Sequence, residues 1–395
     1  MTSSLTNFQG SKLSLQSGIS TNEGKLILDN HKLSYHHERV QAWEAGEKIA
    51  PVSVDMALTR SCGAMCQFCY AMVQEPQERR AITIKDSLNL LDDFKEIGVK
   101  AVSLISDGES TLSPAYVPFI EHAGNIGIDI GNATNAWDWG PEKIERVLPH
   151  MSWVRFTVAA GTPSRYAEIM YKDSSHTEVF DKAIANIKYA VDLKKRLGLK
   201  VTLGIQMVLM PEFKDEIIPF AQLGVDLGVD YAVIKHCSDD EEGSLGVDYD
   251  KYEDMYEDLA KAESMGNETT KIVVKWSKIF DGGIPEYTQM WGPRFLLQIS
   301  GSGLVAPSGM FFNAKFSKLH IGNYTEERFI DIFNSSRYDE VMNYLVDDKF
   351  DARYMMGSLP IQHYLNVALW RHHHDIEKIM PSDASTEKPL HMNFL

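Results

Sequence analysis

The chain has 395 residues, of which 44% are apolar and 24% are charged, and its formal net charge at pH 7 is -16. This composition is typical of a globular protein. The negative charge excludes a general affinity for nucleic-acid phosphates, although it does not exclude a local basic patch. The polar N-terminal residues and the lack of an apolar run of about 20 residues predict neither a signal peptide nor a membrane span.

Strands and helices are predicted to alternate through the first two thirds of the chain. Residues 1–50 are polar and irregular, apart from a short helix predicted at 38–46. Apolar patterning predicts strands at 51–59, 100–105, 126–131, 153–158, 200–210 and 230–236. Helical periodicity predicts intervening helices at 83–97, 114–123, 141–148, 177–197 and 215–227.

This order of elements predicts an α/β fold with a parallel sheet and right-handed crossovers. Six such units at residues 51–244 are expected to coil into a partial (β/α)6 TIM-like barrel, whose active site would lie at the C-terminal ends of the strands. Residues 1–50 are assigned to an N-terminal extension and residues 245–395 to a smaller α+β C-terminal region. The polar or small residues of the fourth and fifth strands should face the barrel interior, because the apolar ones pack on helices.

Three of the four cysteines lie in one short loop that follows the first predicted strand: Cys62, Cys66 and Cys69. Thiolates in such a loop suit zinc or an iron–sulfur cluster. A structural zinc site normally uses two separated ligand pairs, and no second pair follows here. The spacing alone leaves a zinc knuckle or a reduced structural loop open. Clustered cysteines without a disulfide framework indicate a reducing cytoplasm.

The C-x3-C-x2-C spacing, with Phe68 and Tyr70 beside the last cysteine, resembles the cluster loop of the radical S-adenosylmethionine (SAM) superfamily. The resemblance implies one [4Fe–4S] cluster held by the three cysteines, with an open iron that chelates SAM. It also implies reductive cleavage of SAM to methionine and a 5′-deoxyadenosyl radical, which takes a hydrogen atom from the substrate. The electron would come from an external one-electron reductant such as flavodoxin or ferredoxin.

Residues after the second and third strands resemble the SAM-binding motifs of this family. Gly108 and Glu109 stand where the family carries a G-G-E-P-type motif, although Asp107 replaces its first glycine and Ser110 its proline. Glu109 would accept a hydrogen bond from the SAM ammonium group, and an ordinary strand-to-helix turn is the alternative. Thr134 and Asn135 resemble a T-N-G stretch that contacts SAM or its ribose, with an Asn-rich loop as the alternative.

Three residues on the predicted inner strand faces complete the candidate SAM site. Thr157 resembles a position that contacts the SAM ribose or carboxylate. Arg155 needs an acidic partner if it is buried, and Glu109 or the SAM carboxylate is expected to supply it, unless the guanidinium faces solvent. Gln206 is a further candidate for SAM contact, or else a hydrogen-bonded interior amide.

The fourth cysteine, Cys237, ends the sixth predicted strand, which is a functional position in a barrel. Its thiol could donate a hydrogen atom to a substrate radical, although free cysteine is more often a small buried apolar residue. Lys235 should lie on the same side of the strand and could bind an acidic substrate group. His236 is expected to be a hydrogen-bonded structural histidine. The acidic run 239–242 is either a solvated loop or a contact for a cationic substrate.

Other histidines are not expected to act as metal ligands. Nothing marks His36 or His37 as a missing ligand of the cysteine loop. The run His372-His373-His374 is interpreted as a solvated helix end.

The order of predicted elements after residue 245 resembles the SPASM/twitch extensions of radical SAM enzymes. Family extensions bind auxiliary clusters through cysteines, whereas Ser308, Tyr324 and the stretch 355–360 occupy such places here. Because no cysteine follows Cys237, auxiliary clusters of the usual kind are not expected.

The sequence therefore predicts a radical SAM enzyme that acts on a peptide, sugar or other polar metabolite. The absence of auxiliary clusters favours a redox-neutral outcome such as epimerisation. The alternatives are a radical SAM dehydrogenase, an adenosyl transferase, or a non-catalytic iron–sulfur protein. We expect neither a nucleic-acid nor a membrane partner.

Overall fold

The structure is a computed structural model, and it describes residues 19–21, 24–74, 81–356, 362–383, 385 and 387–395. The stretch 355–360, where family extensions carry cysteines, therefore lies partly outside the described residues.

One large sheet organises the described part of the chain. Seven strands run parallel, in the spatial order of the sequence: β3 Ser53–Met56, β4 Ala101–Leu104, β5 Asp129–Thr134, β6 Trp153–Thr157, β7 Thr202–Leu209, β8 Tyr231–His236 and β9 Lys271–Val274. Beyond β3, the sheet continues into β10 Leu296–Ile299, which is parallel to β3, and then into antiparallel β11 Leu304–Ala306 and β12 Gly322–Asn323. A separate hairpin pairs β1 Ile19–Thr21 with β2 Gly24–Leu26.

The predicted α/β class and the six β/α units are confirmed. The sheet is open, however, and it crosses the predicted domain boundary at 244/245, because β9 and β10 come from the C-terminal region. The C-terminal region therefore adds strands at both edges of the part of the sheet that β3–β8 form.

Helices pack on the outside of the strands. They span His37–Glu44, Ile84–Ile97, Tyr116–Ile126, Pro141–Val147, Pro163–Tyr171, Glu178–Leu197, Ile217–Leu227, Tyr256–Ser264, Trp276–Phe280, Phe329–Asn334, Ser336–Tyr344, Ala352–Met355 and His363–His373. The helix Ile84–Ile97 begins at a capping box between Thr83 and Asp86, and it ends at Gly98, which adopts the left-handed conformation. The helix Pro163–Tyr171 was not predicted, although its proline at the first turn is a typical start signal.

The predicted inner and outer faces of the strands are largely confirmed. Val154 and Phe156 are fully buried against the helices, whereas Arg155 faces the interior of the curved sheet. In the interior, large aromatic rings lie against glycines of the neighbouring strands. A side chain at Gly131 would collide with the ring of Trp153, and one at Gly204 would collide with the ring of Tyr231.

The C-terminal residues close the interior at the N-terminal ends of the strands. Phe394 packs edge-on against Trp153, with ring centroids 5.6 Å apart. The Asn393 amide donates to Asp129 at 2.7 Å, and Lys32 donates to the carbonyl oxygens of His391 and Phe394. This plug leaves the opposite end of the strands, where the cysteine loop lies, as the end that carries the loops expected to form the site.

None of the helices in the described ranges has the length and apolar character of a membrane span.

Candidate active site

The cysteine loop leaves the C-terminal end of β3 and is held against the helix Pro163–Tyr171. The amide of Met65 donates to the carbonyl of Met170 at 2.9 Å, and that of Gln67 donates to Ile169 at 3.0 Å. The side-chain amide of Gln67 adds a bond of 2.9 Å to the Glu168 carbonyl. Backbone bonds therefore fix the loop, and the Cys66 sulfur also contacts the sulfur of Met170 at 3.7 Å.

All three loop thiols are free, and Cys62 is exposed. Desolvation raises the pKa of Cys62 to about 11 and also raises the pKa values of Cys66 and Cys69; neighbouring thiols contribute at Cys62 and Cys66, and Asp107 contributes at Cys69. Among the described residues, no three His, Cys, Asp or Glu side chains converge on one point as ligands of a single metal ion would. Three thiols spread over one loop have the donor chemistry of an iron–sulfur cluster. The residues present therefore fit that group.

Gly108 and Glu109 lie directly beside the cysteine loop. A side chain at position 108 would collide with the backbone of Thr59 and Arg60, so only glycine fits this contact. The Glu109 amide donates to the Ser61 carbonyl at 2.9 Å, which connects the two loops.

The buried Glu109 carboxylate also organises the loop after β5. One of its oxygens accepts from the Asn135 amide at 2.8 Å, and the other accepts from the Thr111 hydroxyl at 2.8 Å. Burial raises the pKa of Glu109, and the bonds from Asn135, Thr111 and Thr134 oppose that rise. A carboxylate held in this way is a fixed acceptor for a cationic group at the loop.

Thr134 and Asn135 are brought to the cysteine loop as predicted. The Asn135 side-chain nitrogen lies 4.0 Å from the sulfur of Cys62. The Asn135 side-chain oxygen accepts from the Trp137 amide at 2.9 Å, and the Thr134 hydroxyl accepts from the Ala136 amide at 3.0 Å. These bonds shape the turn, and they leave the Asn135 amide nitrogen directed at the thiol.

Asp107 has a role that the sequence analysis missed. Its buried carboxylate accepts from the Ser300 hydroxyl at 2.6 Å and from the Gly301 amide at 2.7 Å, and it pairs with Arg60 at 3.1 Å. Arg60 stands two residues before Cys62, whereas Ser300 and Gly301 form the turn after β10. The residue that replaces the first glycine of the motif therefore ties the cysteine loop to the C-terminal region.

Thr157 and Gln206 are register partners on β6 and β7. Gln206 is buried and lines an interior cavity of about 170 Å³. Arg155 lines the same cavity, one inward-facing position below Thr157. Glu109 is not among the groups that act on Arg155, whose electrostatic neighbours are Tyr231 and Asp55. The prediction that Glu109 pairs with Arg155 is therefore wrong.

Cys237 does not reach the interior cavity. It is fully buried, and its thiol donates to the carbonyl oxygens of Phe68 and Ser238 at 3.6 Å each. Burial raises the pKa of Cys237 to about 12. Lys235 lines the cavity, whereas Cys237 follows the end of β8 and packs behind the cysteine loop. Lys235 and Cys237 each act on the pKa of the other, so the two side chains are neighbours, and the donor role of Cys237 stays a prediction.

Two further predictions near β8 need correction. His236 is buried against the rings of Tyr249 and Tyr252, but neither of its ring nitrogens has a hydrogen-bond partner in the described part of the chain. The acidic run is not simply solvated, because Asp239 is buried and accepts from the backbone amides of Leu245 and Val247.

The histidine run also differs from the prediction. His372 is buried and contacts Glu44 at 2.6 Å, so only the following histidines form the exposed helix end. His36 contacts the Met392 carbonyl at 3.1 Å.

In the C-terminal region, the positions where related extensions place cysteines have structural roles. Ser308 is buried and caps a short helical turn through the Met310 amide. Tyr324 is buried in the core.

Comparison with known proteins shows which family model the central part of the chain matches. The sequence model of the Radical SAM superfamily matches residues 56–223. No curated protein sequence matches the chain.

Solved structures share the fold of this chain over more than the β3–β8 region. Streptococcus suis SuiB bound to S-adenosylmethionine has a TM-score of 0.59 and 16% identity, covering 78% of this chain and 72% of its own. SuiB bound to its precursor peptide SuiA gives a TM-score of 0.58 at 16% identity and covers 77% and 68%. Native anSMEcpe with bound AdoMet and Kp18Cys peptide gives 0.53 at 13% identity and covers 82% and 98%.

The fold is of the α/β class, and the three loop cysteines lie in the part of the chain that matches the Radical SAM model. Residues 56–223 of this chain match the Radical SAM superfamily model, and the residues that follow Cys237 include no cysteine.

Proposed function

We propose that Cys62, Cys66 and Cys69 hold a single [4Fe–4S] cluster, and that SAM binds beside it. When bound, these groups supply reductive cleavage of SAM and removal of a hydrogen atom from the substrate. The observation that carries the proposal is the contact of Glu109 and Asn135 with the cysteine loop, because it places a fixed carboxylate and an amide next to Cys62.

The chain's own residues would bind and orient SAM around this point. Glu109 is positioned to accept from the SAM ammonium group, with Gly108 permitting close approach of the backbone. Thr134, Asn135, Thr157 and Gln206 remain proposed contacts for the ribose or the amino-acid portion. Arg155 lies deeper in the interior, so we assign it to the substrate instead of to SAM.

We further propose a redox-neutral outcome. The four cysteines of the chain leave no thiol for an auxiliary cluster in the C-terminal region, and such a cluster is the usual acceptor of a substrate electron. Rearrangement or elimination needs no separate hydrogen donor. Epimerisation through Cys237 would require its buried thiol to become exposed.

The proposed partners are a polar small-molecule or peptide substrate and a flavodoxin- or ferredoxin-type reductant. Peptides are bound in two of the similar structures, which supports the wider substrate class. The free thiols fit the reducing cytoplasm in which we propose that the enzyme works.

Anaerobic reconstitution tests the function. The cluster-loaded chain, given SAM and dithionite, should release 5′-deoxyadenosine and methionine in equal amounts. Cys66→Ala should abolish both products and lower the bound iron, whereas Cys237→Ala should retain the iron. A chain that carries four irons and four sulfides but releases neither product would overturn the proposal and favour a non-catalytic iron–sulfur protein.

A further inference from the structure

The interior cavity beneath the cysteine loop is lined by an excess of cationic side chains. Arg155, Lys235, Lys275 and Lys278 face it, and Asp55 is the one acidic side chain among the described residues that line it. Lys32 also lines the cavity, but its amine is bonded to the carbonyl oxygens of His391 and Phe394 in the plug. Four cations in one small cavity require a physical explanation, since each of them loses hydration there.

Three of these side chains, Arg155, Lys235 and Lys275, are not neutralised by close acidic partners in the described part of the chain. Among the described residues, Arg155, Lys235 and Lys275 form no ion pair within 4.0 Å, and the buried Nε of Arg155 has no hydrogen-bond partner. The nearby Asp29 accepts from the hydroxyls of Ser277 and Tyr364. The guanidinium of Arg155 stacks over Trp153, with its carbon 5.5 Å from the ring centroid, which fixes its position without supplying negative charge.

The pKa values of two cavity lysines also indicate that the cavity lacks negative charge. Burial, with Arg155 and Lys275 nearby, lowers the pKa of Lys235 to about 7. Burial lowers the pKa of Lys275 to about 8, although Asp29 opposes this change. The cations destabilise one another, so a bound anion would restore their protonation and be held strongly.

We propose that this cavity binds the substrate through a carboxylate or phosphate group held by Arg155, Lys235 and Lys275. The substrate is then a small anionic metabolite, because the cavity measures about 170 Å³ and the plug residues Leu390 and Phe394 close its floor. The inference rests on the proposed function, which places SAM above Gln206 and Arg155. Anchoring the anion at depth would direct the rest of the molecule toward the cysteine loop.

The cavity adjoins a larger cleft. The cleft measures about 650 Å³ and shares Asn30, His31 and Tyr364 with the cavity lining. Acidic groups at the cleft already have partners, since Glu286 pairs with Arg371 at 2.6 Å and Asp281 contacts His363 at 2.9 Å. Arg371 thus offsets the charge of Glu286, whereas His363 is a neutral partner of Asp281 near pH 7 because burial lowers the pKa of His363.

Titration calorimetry on the cluster-loaded full chain tests the proposal, with inorganic phosphate and acetate as separate probes at constant ionic strength. At least one probe should bind with a stoichiometry of one, both without and with saturating SAM. Lys235→Met and Arg155→Gln should each weaken that binding at least tenfold. The matched surface variants Lys188→Met and Arg196→Gln should bind like the wild type, because their side chains are exposed on the helix Glu178–Leu197.

The two probes identify the anion class, since a carboxylate site prefers acetate and a phosphate site prefers phosphate. Absence of saturable binding, or equal losses in the surface variants, would overturn the proposal. Displacement of the probe by SAM would also overturn it, because the cavity would then hold the SAM carboxylate. Assay of 5′-deoxyadenosine on the same preparation separates this failure from failure of the proposed function. If the chain cleaves SAM but binds no anion, only the anion-site proposal is overturned and the proposed function stands.

Discussion

The hydroxyl of Ser300 donates a 2.6 Å hydrogen bond to the buried carboxylate of Asp107, and this bond joins the turn after β10 to the loop after β4. The same carboxylate pairs with Arg60 in the segment that precedes Cys62. The C-terminal region thus helps to position the cysteine loop although it supplies no thiol. Gly301 is required at this junction, because a side chain there would collide with the backbone of Thr59.

Replacement of Asp107 should loosen this junction. We expect Asp107→Gly, which restores the glycine of the family motif, to lower the free energy of unfolding by about 2–4 kcal/mol, because it leaves Arg60 and Ser300 without their buried acceptor. Urea denaturation measures the loss, and amide hydrogen exchange should speed up at residues 300–303. Asp348→Gly, at an exposed acidic position, is the control. Unchanged exchange at the turn would contradict this role of Asp107.

Gly108→Ala should damage the cysteine loop. The new methyl group would overlap the Thr59 carbonyl, and backbone atoms cannot rotate away as a flexible side chain could. We expect the iron content after anaerobic reconstitution to fall by at least half. Gly140→Ala is the matched control, because nothing lies within 4 Å of the added methyl group. Equal iron contents in the two variants would show that the loop tolerates the displacement.

Glu109→Gln should weaken SAM binding and preserve the cluster. The amide keeps an oxygen for the Asn135 contact but loses the charge that would face the SAM ammonium group. We expect a loss of SAM affinity of about tenfold or more, equivalent to about 1.4 kcal/mol. Equilibrium binding measures the affinity, and the cluster absorbance reports integrity. Glu268→Gln, at an exposed position, should leave both unchanged. Wild-type affinity in Glu109→Gln would remove Glu109 from the site.

Cys237→Ala distinguishes a structural thiol from a hydrogen donor. Because the thiol is buried and bonded to two carbonyls, we expect a modest loss of stability and the same product, with the same solvent-deuterium pattern, as the wild type. Mass spectrometry of products formed in deuterated water reads that pattern. Loss of a solvent-derived deuterium from the product, with SAM cleavage retained, would instead establish Cys237 as the donor.

The cavity lysines make stability depend on pH. The folded-state pKa values of Lys235 and Lys275, about 7 and about 8, lie below the unfolded value of 10.5, so the unfolded chain binds more protons above pH 7. Stability should therefore rise with pH between about 7 and 10.5, by at most about 1.4 kcal/mol per pH unit for each lysine. The pKa of Asp55, which burial raises to about 7, makes stability fall between about pH 4 and 7.

Urea denaturation in buffers without phosphate or carboxylate measures this dependence. Lys235→Met should be more stable than the wild type at pH 7 and show a smaller slope above it. Lys188→Met should keep the wild-type slope. A wild-type stability that falls steadily from pH 7 to 8 would contradict the buried cationic state of the cavity.

The sequence by itself determined the class of fold and the centre of the site. Strand and helix periodicities are local properties, and the cysteine spacing is carried by eight consecutive residues, so both can be read without tertiary contacts. Glu109 and Asn135 were also identified, because each follows a predicted strand and parallel strands bring their C-terminal ends together.

Only the tertiary structure decided how distant segments combine. Asp107 pairs with Ser300, and Lys235 lies near Lys275, although the members of each pair are far apart in the sequence. The burial of Cys237 likewise depends on segments that are distant in the sequence. The alternation of apolar and polar residues along the chain does not encode these contacts. Lys275 follows β9, a strand that the sequence assigned to a separate region and that the sheet joins to β8. The charge of the cavity depends on this pairing, because electrostatic energy follows distance in space and the solvent excluded between groups.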